Sequence, residues 1–273
     1  FNQFAELTTY NARVGNTSLF GSQYGYDKLG RIITKTETIT AVTTNYTYSY
    51  DPAGRLAAVS TNGVTTEQYS YDLNGNRTAA LGVAAISYDN QDRLLQYGGT
   101  MYSYTANGEL VSKTNGGQTT TYNYDVLGNL MGVTPPTGPQ ITYIVDGQNR
   151  RIGKRVDGAL QRGWLYQDGL NPIVELDSAG NLASFFVYAS QGHFPDYMWR
   201  GGQTYRLITD HLGSVRLVVN ASTGAVAQRL DYDAFGRVLL DTNPGFQPFG
   251  FAGGLYDPDT GLVRFGARDY DAE

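Results

Sequence analysis

A single short pattern, Tyr-Asp-x-x-Gly, returns along most of this chain. It stands at Tyr26-Asp27-x-x-Gly30, Tyr50-Asp51-x-x-Gly54, Tyr71-Asp72-x-x-Gly75 and Tyr124-Asp125-x-x-Gly128, and again with Asp233 and Gly236. Looser copies fall at Tyr88-Asp89, Tyr104-Thr105, Val145-Asp146, Asp177, Asp210 and Tyr256-Asp257. Self-similarity at a spacing of roughly 20 residues marks a chain built from small units that bury their faces only by stacking on neighbours.

Each copy reads as a β-hairpin. Tyrosines two apart share one face of a strand, as at Tyr24/Tyr26, Tyr48/Tyr50, Tyr69/Tyr71, Tyr102/Tyr104 and Tyr122/Tyr124. Threonine and serine fill the opposite face. The Asp opens a turn by accepting from backbone N–H groups ahead of it. The Gly three places on supplies a left-handed position. Arg or Asn follows, and Ile32, Leu56, Leu94, Leu110, Leu130 or Val238 begins the returning strand. The expected fold is therefore all-β: repeated antiparallel β-hairpins that form a long spiralling β-sheet. Asp27, Gly30, Asp51, Gly54, Asp72, Gly75, Asp125, Gly128, Asp233 and Gly236 are its structural turns. Tyr26, Tyr50, Tyr71, Tyr104 and Tyr124 form its aromatic ladder.

Composition agrees. Gly is 34 and Tyr 22 of 273 residues, and charged residues are only 16%, against about 25% in ordinary domains. The net charge of -5 offers no basic surface for nucleic acid. There is no cysteine for disulfides, thiolate chemistry or a Cys-type zinc site. No segment is apolar enough to span a membrane as a helix. Carboxylates about twenty residues apart are too sparse for a calcium cage, and His193 and His211 have no partner at ligand spacing. Neither a metal nor a cofactor is expected. The stretch 188–205 carries no repeat and reads as a loop that packs its own aromatics. The "TPPTGP" at 134–139 reads as a loop that breaks the pattern.

The C-terminal third is more specific. "DHLGS", "YDAFGR" and "GLYDPDTGLVRFGARDYD" follow one another there. With the repeats, these resemble the YD-repeat family: bacterial Rhs proteins, the C components of insecticidal toxin complexes, and teneurins. The resemblance implies a YD-repeat β-ribbon over 1–206 and an Rhs core C-terminal segment over 207–273, truncated before the family's self-cleavage site. It implies a structural encapsulation module that encloses or delivers a C-terminal polymorphic toxin, secreted or at the bacterial cell surface. The partners implied are a toxin cargo polypeptide or further repeats of the same or a longer chain, with open sheet edges as a route to homo-oligomers. A self-assembling surface protein, filament or tube, is the alternative. Arg268 and Asp269 match the first Arg-Asp of the family's aspartyl autoprotease. The second Asp of that arrangement has no counterpart in this sequence, so the half-site is expected to be inactive and the chain not to act as an enzyme.

Overall fold

A computed structural model describes residues 1–190 and 192–273. Gln191, inside the 188–205 stretch, lies outside the described residues. The chain is all-β: strands follow one another from Thr9–Val14 to Arg268–Asp271, with a single 3-10 turn at Phe251–Gly253 and no α-helix among the described residues. It divides into two compact units, residues 1–104 with 113–117, and residues 105–112 with 118–273.

The first unit holds a seven-stranded sheet in which every strand pairs antiparallel with the next in sequence, from Thr9–Val14 through Arg77–Ala80. Ile86–Tyr88, Leu94–Tyr97 and Thr100–Tyr104 then pair in the same manner. Leu19, Phe20, Tyr24, Ile39 and Val59 are its buried core. In the second unit the strands from Gln118–Tyr124 to Val238–Asp241 pair in sequence order, and a separate three-stranded sheet follows: Leu255–Tyr256, Leu262–Phe265 and Arg268–Asp271. The stretch 188–205 is not wholly loop. Tyr197–Arg200 and Gln203–Thr209 form a hairpin closed by Gly201 and Gly202, both with positive φ. Met198 is fully buried there.

The turns follow one design. At Asp27 the carboxylate Oδ1 accepts from the N–H of Leu29 at 2.9 Å and of Arg31 at 3.0 Å, and Oδ2 accepts from Arg31 Nε at 2.7 Å. Asp125 repeats this with Leu127 and Asn129. The position three residues after the Asp is left-handed in each: Gly30, Gly54, Gly75, Gly128 and Gly236 have φ between 75° and 94°. Asp92 and Asn149 hold the same place at φ 60° without glycine. The backbone closes as Asp51 N–H to Arg55 O and Gly54 N–H to Asp51 O, and the register slips by one residue between Ser49 and Tyr50. This is a type I turn with a bulge, a common three-residue hairpin connection.

Successive hairpins are tied through their tyrosines. Tyr50 donates its hydroxyl to Ile32 O at 2.7 Å, Tyr71 to Leu56 O at 2.8 Å and Tyr104 to Leu94 O at 2.7 Å. Each acceptor is the first strand residue after the preceding turn. Tyr26 reaches Leu7 O, and Tyr166 and Tyr188 continue the pattern to Arg151 O and Pro172 O. The turn arginine lies over the ring that follows it, Arg31 at 4.6 Å from the Tyr50 centroid and Arg55 at 4.7 Å from Tyr71. Such a contact contributes about 0.5–1 kcal/mol at an exposed site. Tyr124 packs against the cluster of Leu130, Val133, Ile141, Tyr143 and Leu262.

Gly54 tests the turn. It has φ +83°, and a would-be Cβ makes only ordinary contact, with Arg31 Nη1 nearest at 3.5 Å. Gly54→Val is therefore expected to cost backbone strain alone, about 1–2 kcal/mol. An unchanged urea midpoint would contradict the assignment.

These turns and rings also set the pH range of the fold. Bonds from the Arg31 and Arg55 backbone, together with their side chains, hold the Asp27 and Asp51 carboxyls below their ordinary 3.8. At Asp72, burial works upward, but the Asn76 side chain and backbone outweigh it. A native pKa below the unfolded one gives stability that is present above about pH 4 and is lost as pH falls further. The tyrosines act at the other end: burial pushes Tyr104 and Tyr166 up to about 12 from 10. Their contribution is complete below pH 10 and disappears as pH rises toward 12. The expected profile, read by circular dichroism, is a plateau between about pH 4 and 10 with losses on both sides. Stability that held flat through pH 12 would refute the alkaline half.

Candidate functional site

The chain from Phe249 onward lies against the sheet of the second unit. Phe249 and Leu255 enter the core of Phe186, Met198, Leu207, Val215, Val218 and Leu230, and Leu262 enters the cluster around Tyr143. The Phe249 ring meets Phe186 edge-on at 4.9 Å and 86°, worth about 0.5–1.5 kcal/mol beyond the area buried.

Beneath this segment sits a charged cluster. Asp257 opens a turn one residue longer than the others, since Gly261 rather than residue 260 carries the positive φ. Its carboxylate has no arginine four places on. Instead it accepts from Lys154 Nζ, from the Tyr143 hydroxyl at 2.6 Å and from the Asp259 N–H at 3.0 Å. Lys154 also meets Asp259, and its side chain is only 5% exposed. Burial, with the Asp257 carboxylate next to it, raises the Tyr143 hydroxyl pKa strongly.

Asp269 lies beside this group. Its Oδ1 accepts from Arg151 Nη2 at 2.8 Å and its Oδ2 from Arg264 Nη1 at 2.7 Å. Arg151 lies 3.4 Å over the Tyr143 ring centroid, and Arg264 donates to Asn149 O. Arg151, Lys154 and Arg264 thus face Asp257, Asp259 and Asp269, three charges against three. Arg268 is exposed, while its neighbour Asp269 is partly covered. Successive residues of a strand point to opposite faces, so the two are not brought together. The partners of Asp269 are two guanidiniums, not the second carboxylate that an aspartyl dyad uses to share a proton.

Two further buried carboxylates are held in the same manner. Glu175, 1% exposed, accepts from Arg162 at 2.6 Å, Arg200 at 3.0 Å and the Ser184 hydroxyl at 3.1 Å. Arg162 also donates to Gly245 O and so ties the sheet to the C-terminal segment. Asp196 is buried, which works to raise its pKa. Bonds from the Ser190 hydroxyl and N–H, from Arg206 and from the Ala189 N–H prevail and leave it well below the usual range.

Tyr143, Arg151, Lys154 and Arg264 carry no repeat signature, while Asp257 stands in a loose copy of it. One signal was present. "RIGKRV" puts three basic residues into a strand of six.

The family description of the teneurin YD-shell matches residues 1–273. This chain belongs to the teneurin YD-shell family. It is 31% identical over 283 aligned residues to Teneurin-4 of Mus musculus, covering 99% of this chain and 10% of that protein. It is 33% identical over 258 residues to Teneurin-1 of Gallus gallus, covering 90% of this chain and 9% of that protein. The tRNA3(Ser)-specific nuclease WapA of Bacillus spizizenii is 27% identical over 76% of this chain and 9% of its own length. The YD-shell chain thus spans about a tenth of the length of these curated relatives. Among solved structures, TcdB2-TccC3-TEV superposes with a TM-score of 0.52 at 15% identity, covering 98% of this chain and 18% of that one. That likeness concerns the fold. No helix among the described residues is long and apolar enough to cross a membrane.

Proposed function

We propose that this YD-shell chain is a length of wall in a shell that encloses or delivers a C-terminal toxin polypeptide, in a secreted or surface-displayed bacterial protein. The observation that carries the reading is the tether between successive hairpins. Tyrosine hydroxyls and turn arginines join each repeat to the one before it. A wall made this way has no use for a catalytic centre. The likeness to a nuclease of Bacillus spizizenii supports a cargo of that general kind.

In this reading residues 1–206 supply repeats and 207–273 the closing segment. Arg268 and Asp269 serve structure: Asp269 clamps the final hairpin to Arg151 of the sheet. Asp269→Asn is therefore expected to leave the length of the chain unchanged on a denaturing gel. A size change that depends on Asp269 would overturn the structural assignment.

Limited proteolysis of the full-length protein tests the shell. The enclosed polypeptide is expected to survive protease until the YD-repeat wall is unfolded. Digestion of that polypeptide at the rate of its isolated form would refute enclosure. Filaments or tubes in electron micrographs would instead favour end-to-end assembly through sheet edges.

A further inference from the structure

A cleft of about 310 Å³ opens in the second unit between the sheet and the C-terminal segment. Gln161, Pro244, Pro258 and Asp259 form its exposed rim, and Trp164, Gln228 and Phe249 lie buried within it. Three buried polar atoms of its lining have no hydrogen-bond partner among the described residues: Trp164 Nε1, Arg151 Nε and Gln228 Oε1. Buried polar groups are nearly always paired, so three orphans on one cleft call for an explanation.

The amide of Gln228 is fixed in direction. Its Nε2 donates to Asp241 Oδ1 at 2.8 Å and to Asn243 O at 3.0 Å. A flip would set oxygen against oxygen. The residues that line the cleft therefore leave one neutral acceptor, one neutral donor and one guanidinium N–H unpaired. Most of its charged side chains already have partners: Lys154 with Asp257 and Asp259, Arg162 with Glu175, Arg151 with Asp269. Among the described residues Asp241 is the one lining carboxylate without a basic partner; it accepts from Gln228 Nε2 and from the Asn243 N–H, and it disfavours an anion in the cleft. Phe249, Tyr256 and the prolines at 244, 248 and 258 provide apolar walls.

We infer that this cleft binds a neutral saccharide unit. A hydroxyl donates one hydrogen bond and accepts two, so hydroxyls suit unpaired donors and an unpaired acceptor alike. The C–H face of a sugar ring matches the aromatic and proline walls, in the usual manner of a mostly apolar pocket with a few placed polar groups. The inference is independent of what the shell encloses.

The chain has two tryptophans. In a Trp199→Phe variant Trp164 is the sole indole, and its emission is expected to change saturably with N-acetylglucosamine, galactose or glucose. A dissociation constant on the order of 1 mM is expected for so few contacts. Trp164→Phe removes one orphan donor together with one ring of a buried indole, so its sugar-free melting midpoint is expected to fall. Measured against that lower midpoint, the sugar affinity read from the sugar-induced rise should weaken about tenfold. Acetamide has the same donor and acceptor without a ring. Saturation by acetamide and by none of the sugars would overturn the saccharide assignment. So would the absence of any saturable response, with ordered water alone bridging the three atoms in a high-resolution crystal structure.

Discussion

Lys154→Met is expected to lower the stability of the second unit by about 3–5 kcal/mol. The lysine and Asp257 are 5% and 7% exposed, so removal of the cation strands a carboxylate in the interior with only the Tyr143 hydroxyl and one N–H. In the double variant with Asp257→Asn the amide oxygen can keep the Asp259 N–H while the amide NH2 donates to the Tyr143 hydroxyl, without the charge. This variant should recover more than half of the loss, because neutral replacements of a buried pair are often tolerated. Urea titration followed by tryptophan fluorescence measures this directly, since Trp164 and Trp199 both belong to the second unit. A single variant within about 1 kcal/mol of the parent would show that the cluster is hydrated and of little weight.

Gly236→Ala is the second large effect, about 2–5 kcal/mol. The position has φ +92°, and a Cβ built there would stand 2.3 Å from Phe251 Cγ and 2.4 Å from Cδ1. Two costs add: the left-handed backbone, and displacement of a ring that packs on Tyr232 and Tyr270. Gly54→Ala, with a left-handed backbone and only ordinary contact at its Cβ, isolates the first cost. Equal losses at the two sites would deny the close approach of Phe251. Phe251→Leu in the Gly236→Ala background should return part of the difference, read as a shift in the urea midpoint.

These cases mark what can be read from the residues alone. The turn at Asp27 is complete within five positions, and every bond that Asp27 makes to Leu29 and Arg31 is local. Turn chemistry of that kind is written in the sequence. The all-β class followed, together with the left-handed glycines and the shared tyrosine faces. The hydroxyl tethers were hidden because they depend on how far one hairpin lies from the last. The hairpin at Tyr197–Arg200 was hidden because it is joined by Gly201-Gly202 without the Tyr-Asp signature. The charged cluster was hidden for another reason. Tyr143 and Asp257 are 114 positions apart, as far as Arg151 from Asp269 within a few residues. No spacing rule reaches that far. Arg268 and Asp269, adjacent in the sequence, face different surroundings.

The tyrosine tethers have a mechanical consequence. In the run from Tyr26 to Tyr71 each ring grips the segment before it, Tyr26 at Leu7 and the next two at the strand that begins after the previous turn. A pull on one end of that run loads a single grip and a single pair of strands at a time. The run should therefore yield like a seam unpicked stitch by stitch, as a train of small, evenly spaced force peaks. Because unravelling at one end leaves the next stitch intact, a torn margin need not spread through the remaining fabric.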